Sequence, residues 1–198
     1  MSQYYIMYLK QKISKILAEF NIFFRMTIPR PSTKLAREKF GNRPVKIIEI
    51  GTYEGRNAKS LLKCLNVSSI SFIDPYELYD EKQLQVIQLE KAKERARKAI
   101  YKLRGKTEVN WVRKKSQDAS KLFENKSADF IYIDGDHRYS AVKKDIELYW
   151  PKLKDGGILA GHDIDWEGVV KAIGEFSLKN NLKLHLKFPD WMIIKESK

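Results

Sequence analysis

Two short stretches of the chain hold carboxylates and imidazoles side by side: Asp134-Gly135-Asp136-His137 and Gly161-His162-Asp163. His137 and His162 are two of only 3 histidines, and the last, His185, stands apart near the C-terminus, where a structural role is expected. A neutral imidazole near pH 7 suits removal of a proton from a hydroxyl group. The oxygens of Asp134 and Asp163 suit Mg²⁺, which accepts two carboxylates and keeps waters for a substrate. Gathering so many ionisable groups is costly unless they are paired or metal-bound. Turn chemistry explains either cluster alone more easily than both.

A second set of residues suits binding rather than proton transfer. Glu49-Ile-Gly51-Thr-Tyr53-Glu-Gly55-Arg-Asn57 closes an apolar run and opens a helical pattern. Gly51 and Gly55 permit a tight turn and close approach of a ligand to the backbone. The helix start that follows offers free N–H groups to a carboxylate or phosphate. About twenty residues on, Asp74 can accept both hydroxyls of a ribose; alternatively it serves the Asp74-Pro75 turn. In Ser116-Gln117-Asp118-Ala119, Gln117 or Asp118 can bond an adenine edge, or Asp118 can cap a helix. The glycine spacing is not G-x-G-x-x-G, which weakens a dinucleotide reading.

These residues need elements to hold them at one place, and the hydrophobic pattern supplies them. Short apolar runs at 45–50, 69–74, 109–112, 129–134 and 157–161 predict strands. Helical patterns fall between and after them at 56–65, 81–103, 119–123, 139–149 and 166–177, and 182–188 with 191–195 predict a closing antiparallel hairpin. Alternation of this kind implies right-handed crossovers and a Rossmann-like three-layer α/β/α sandwich: a mostly parallel seven-stranded sheet ending in the hairpin. Ligands bind such sheets beyond the carboxyl ends of the strands, where every residue singled out above falls. Ahead of this domain, taken as 41–198, residues 1–40 read as an extension. Its apolar residues recur from Ile6 to Phe23 at steps of three and four, which predicts an amphipathic helix, broken over 27–31 by two prolines.

Composition narrows the class. At 198 residues, 43% hydrophobic, the chain has material for one ordinary core. Its one cysteine, Cys64, excludes an internal disulfide framework and a cysteine-based zinc cluster. With no apolar run of spanning length and no signal-like start, a cytoplasmic protein is expected. Lys+Arg 38 against Asp+Glu 25 gives +13, a balance that attracts phosphate-bearing partners. The lysines are dispersed rather than gathered, so a generally basic solvated surface is the favoured explanation.

Taken together, EIGTYEGRNAKSLL, ISFIDPY, SQDAS and DFIYIDGDHRYSAVKKDIELYWPKLKDGGILAGHDID resemble the class I S-adenosylmethionine-dependent methyltransferases. The nearest likeness is to the small O-methyltransferase-like group whose fourth strand ends in D-G-D-H, from Val45 to about Trp166. The resemblance implies S-adenosylmethionine as cofactor. Glu49, Gly51, Tyr53 and Gly55, with Asn57 beside them, would lie under its methionine moiety. Asp74 would hold the ribose, Gln117 and Asp118 the adenine end, and Asp134 the amino group or a metal. By the same likeness His137 is the base, and Asp134 and Asp163 the ligands of an optional Mg²⁺. His162 stands where several relatives carry another acid and joins the metal set on that ground. The implied reaction is methyl transfer to a hydroxyl of a small molecule or sugar-like acceptor. Two rivals remain: an RNA-directed methyltransferase using the basic stretch 91–104, and a non-catalytic domain engaging a membrane, a partner or a second copy through 6–23.

Overall fold

The computed structural model describes residues 29–77 and 86–196, so the amphipathic stretch 6–23 lies outside the described residues. Seven strands form one sheet: β1 (Val45–Ile50), β2 (Val67–Ile73), β3 (Glu108–Val112), β4 (Ala128–Ile133), β5 (Leu153–Gly161), β6 (Leu184–Lys187) and β7 (Asp190–Ile194). Their order is β3-β2-β1-β4-β5-β7-β6. The first five run parallel, and β7 inserts antiparallel between β5 and β6. The expected three-layer sandwich is therefore the observed one. From β1 the chain winds outward to β2 and β3, then returns to β4 on the other side of β1. This places a crevice at the carboxyl ends of β1 and β4, where the winding reverses.

Alternation along the strands builds two cores. Ile47, Phe130, Tyr132, Ile158 and Met192 face one side, where they meet Leu61, Ala96 and Ile100. Ile48, Ile50, Ile131, Ile133, Leu159 and Ile193 face the other, against Val142, Ile146 and Ile173. Because side chains alternate along a strand, β1 and β4 are apolar on both faces, as a central parallel strand must be. Each fully buried isoleucine or phenylalanine contributes about 1.5–3 kcal/mol of burial, which fixes the register that aligns the strand ends.

Among the described residues, six helices accompany the sheet: α1 (Pro31–Phe40), α2 (Arg56–Cys64), α3 (Val86–Leu103), α4 (Ser116–Ala119), α5 (Tyr139–Tyr149) and α6 (Glu167–Lys179). Two of them correct the sequence reading. The prolines before residue 32 suggest only a break, yet Pro31 occupies the first turn of α1, where a missing N–H costs nothing. Ala36 and Phe40 join the first core, so residues 31–40 pack with the folded domain. The short helix begins at Ser116 rather than at 119 and is followed by a 3-10 turn, Ser120–Leu122. Asp118 thus lies inside the helix and does not cap it; Lys115 holds the cap position. Among the described residues, no helix is long and apolar enough to cross a membrane.

Candidate functional site

The turn after β1 is held from below by Asp74, the residue that follows β2. Its Oδ2 accepts the backbone N–H of Thr52 at 3.0 Å and of Tyr53 at 2.8 Å. Its Oδ1 accepts the N–H of Tyr76 at 2.8 Å, so Asp74 also shapes its own turn. The Tyr76 hydroxyl donates to the Tyr53 carbonyl at 3.0 Å, closing the brace. Gly51, at φ 81, lies so close to Asp134 that a Cβ would collide with its backbone carbonyl. Gly55, at φ 69, precedes α2 in the left-handed conformation. Only glycine takes these geometries without strain.

Buried polar atoms are left over beside this turn. Glu49, 1% exposed, accepts from Asn57 Nδ2 at 2.9 Å through Oε1. Its Oε2, with Asn57 Oδ1 and Thr52 Oγ1, has no partner among the described residues. Burial raises the Glu49 carboxyl to about 8, against the opposing hydrogen bond from Asn57. The protonated acid is therefore the neutral-pH form, and it can donate where a carboxylate could not. Unsatisfied buried groups are costly; gathered at one turn, they fit a polar ligand.

Next to the turn opens a cleft of about 430 Å³ whose lining includes Gly51, Ile73, Pro75, Gln117, Gly135 and Asp145. Gln117 stands in its wall, its Oε1 accepting from Lys144 Nζ at 2.8 Å. Asp118 does not line this cleft; its exposed carboxylate pairs with Lys121 at 3.4 Å. Asp145, which the sequence did not single out, accepts the Ser116 hydroxyl at 2.5 Å and anchors α4 to α5. Burial lifts its carboxyl to about 6.

On the other side of Gly51, the two acid–imidazole stretches meet. His137 Nε2 lies 2.8 Å from Asp163 Oδ2 and 3.9 Å from Asp134 Oδ1. His162 Nδ1 lies 2.7 Å from Asp163 Oδ1 and 3.9 Å from Asp134 Oδ1. Asp163 reaches both rings from a left-handed backbone, φ 62, a strained choice for a non-glycine residue at about 1–3 kcal/mol. Asp134 and Asp163 together push His137 up to about 9. Burial opposes ionisation of Asp163, but hydrogen bonds from His137 and His162 outweigh it and hold the carboxylate below its usual range. The neutral imidazole expected near pH 7 is thus an imidazolium there. Trp166 packs on the His137 ring at 5.0 Å between centroids and is 54% exposed, forming an aromatic wall beside the cluster. Gly168 lets the start of α6 press against this loop: a Cβ there would stand 2.5 Å from the His137 carbonyl oxygen.

Asp134, His162 and Asp163 each offer a ligand atom, all within 4.8 Å of one another. They do not fit Mg²⁺ well, because one donor is an imidazole and that ion prefers oxygen throughout. The charges of Asp134 and Asp163 are, moreover, already faced by cations. One is His137; the other, absent from the sequence reading, is Arg30 just ahead of α1. Arg30 NH1 donates to the Tyr132 hydroxyl at 2.6 Å, while NH2 lies 3.7 Å from Asp134 Oδ2. Tyr132 in turn donates to Asp190 Oδ1 at 3.1 Å, and Asp190 Oδ2 accepts from the backbone and hydroxyl of Ser32. Asp190 read as a turn residue of the hairpin, and nothing in the local sequence joins it to Arg30.

Comparison with known proteins sharpens the picture. A family model described as a methyltransferase domain matches residues 48–164. No curated protein matches the sequence. Among solved structures, a Corynebacterium glutamicum protein shares 16% identity at a TM-score of 0.63, covering 98% of each chain. An O-methyltransferase from Bacillus cereus, solved with S-adenosylhomocysteine, shares 16% identity at 0.58, over 94% of this chain and 90% of its own. An O-methyltransferase from Streptomyces achromogenes, involved in tomaymycin synthesis and solved with S-adenosylmethionine, shares 11% at 0.58, over 84% and 78%. At such identities the likeness is one of fold.

Proposed function

The chain belongs to the methyltransferase-domain family, and from that premise we propose that it binds S-adenosylmethionine and methylates a hydroxyl oxygen of a small, sugar-like acceptor. The observation that carries this reading is the seam between the two halves of the site. Gly51 rests directly on the backbone of Asp134, so the turn suited to a cofactor and the cluster suited to proton transfer share one floor. Methyl transfer needs that proximity, since alignment of donor and acceptor supplies much of the acceleration.

In this reading the Glu49–Asn57 turn holds the methionine moiety, Asp74 the ribose, and the cleft beside Gln117 the adenine. When bound, S-adenosylmethionine supplies a methyl group on a positively charged sulfur. The chain's own residues manage the proton. Nε2 of His137 is buried against the carboxylates, so it is the neutral ring, the minor form at pH 7, whose Nδ1 accepts a proton from the acceptor hydroxyl. Asp163 orients the ring and stabilises the imidazolium that forms. Trp166 offers the acceptor a flat face. The test is calorimetric titration with S-adenosylhomocysteine, then transfer of labelled methyl to a panel of hydroxyl acceptors. Micromolar binding and labelling lost in His137→Ala support the reading; a folded protein that binds neither ligand nor label overturns it and favours the non-catalytic domain.

One observation favours a second reading. Along the β3 edge a groove is lined by Arg97, Lys98, Tyr101, Arg104 and Trp111, with Arg97 over the Trp111 ring and Arg104 over that of Tyr101. Cations interleaved with aromatic rings, one of them, Tyr101, exposed, suit single-stranded nucleic acid. An RNA-directed enzyme would bind RNA with an affinity that falls steeply with salt; salt-insensitive or absent binding removes this reading.

A further inference from the structure

The cluster beside Gly51 contains an ion pair that stops short of bonding. Arg30 NH2 and Asp134 Oδ2 face each other at 3.7 Å, and Arg30 has 22% and Asp134 21% of its side chain exposed. Among the described residues, no donor lies within hydrogen-bond length of the Asp134 carboxylate; His137 and His162 both stand at 3.9 Å. A guanidinium carries five N–H groups, and the described contacts engage NH1 through Tyr132. Cation and anion therefore each keep bonding capacity, side by side, at the edge of the ligand turn. Among the described residues, Asp190, whose Oδ1 lies 3.7 Å from Arg30 NH1, is 0% exposed and is satisfied by Ser32 and Tyr132.

An α-amino acid head group carries the same two charges, an ammonium and a carboxylate, at the same spacing scale. Resting on the cofactor reading above, and on the resemblance that gives the amino group to Asp134, we propose that Arg30 clamps the carboxylate of the methionine moiety. The ammonium goes to Asp134, and the guanidinium presents a planar fork that a carboxylate can grip through two hydrogen bonds. Arg30 is aimed by its NH1 bond to the Tyr132 hydroxyl and by packing over the Tyr132 ring, 5.5 Å from its centroid. The clamp is thus set by the segment before α1 and not by the strand-end motifs.

The experiment compares two ligands that differ only in the carboxylate: S-adenosylhomocysteine and its decarboxylated amine analogue. Each is titrated calorimetrically into the full wild-type chain and into Arg30→Ala and Arg30→Lys. The wild type is expected to prefer the carboxylate ligand at least tenfold. Arg30→Ala should weaken that ligand by tenfold or more while moving the amine analogue less than about threefold, and Arg30→Lys should keep part of the preference. Equal loss for both ligands, or an undiminished preference in Arg30→Ala, overturns the clamp. If Arg30→Ala fails to fold, Arg30→Lys and the wild-type preference still decide it, because a wild type that binds both ligands equally has no clamp. A wild type that binds neither ligand overturns the cofactor reading itself, a distinguishable result.

Discussion

The two halves of the site are held by different forces. The turn after β1 is fixed by hydrogen bonds between backbone N–H groups and one carboxylate, Asp74, and by glycines in conformations other residues avoid. The cluster beyond it is fixed by charges, with Asp163 between two imidazoles and Asp134 between Arg30 and His137. A backbone brace holds one geometry. A set of coupled charges is tunable, and its state follows the solution. In the proposed reading the first construction holds a ligand still and the second moves a proton, while Arg30 and Asp134 serve the ligand from the charged side.

The sharpest break in this comparison is His137→Ala. Turnover should fall about a hundred- to ten-thousandfold, the usual worth of a positioned base, while S-adenosylhomocysteine affinity stays within about threefold. Affinity that falls along with turnover would show that the halves are not separable. Gly51→Ala acts on the other half: with a positive φ and a carbonyl in the way of the new Cβ, it should cost about 2–4 kcal/mol, read by thermal denaturation. Asp74→Ala, which frees the N–H groups of Thr52, Tyr53 and Tyr76, should weaken the cofactor about tenfold, or about 1.4 kcal/mol, without moving the pH profile.

The pH dependence is the subtler test. His137 is raised to about 9, so kcat/KM should climb with pH until about there. Asp163→Asn should bring the break down by a unit or more. The sign for stability is the reverse. A raised folded pKa gives stability that is full below the unfolded value and lost as pH rises through the folded one. For His137 the loss runs from about 6.5 to about 9, and for Glu49, raised to about 8 by burial, from about 4.5 to about 8. Denaturant midpoints should therefore fall from pH 6 to pH 9, and Glu49→Gln should flatten that fall; an unchanged slope would place Glu49 outside the balance.

Much of this was legible in the sequence because it is local. The strand runs, Gly51 and Gly55, and the carboxylate–imidazole stretches announce themselves within a few residues, and sheet topology then brings the strand ends together. What escaped is long-range or ambiguous in its local chemistry. Arg30 meets Tyr132 across 102 positions, and Ser32 meets Asp190 across 158, distances over which no periodicity speaks. Proline before α1 signals a helix start as readily as a break. α4 begins before the helical pattern at 119 because no side chain caps it: Lys115 holds the cap position and the Ser116 hydroxyl goes to Asp145. His137 stands out in its local sequence, but its protonation state depends on two carboxylates converging from different strand ends.

The bond from Ser32 to Asp190 also sets an order of events in time. A chain made from its N-terminus exposes Arg30 and Ser32 well before their anchor on β7. Strands β1 to β5 can pair beforehand, but β7 must insert between β5 and β6 before Asp190 reaches Tyr132. The Arg30 side of the site can therefore close only after β7 has been made, later than the strands that carry the Gly51 turn and the acid–imidazole cluster.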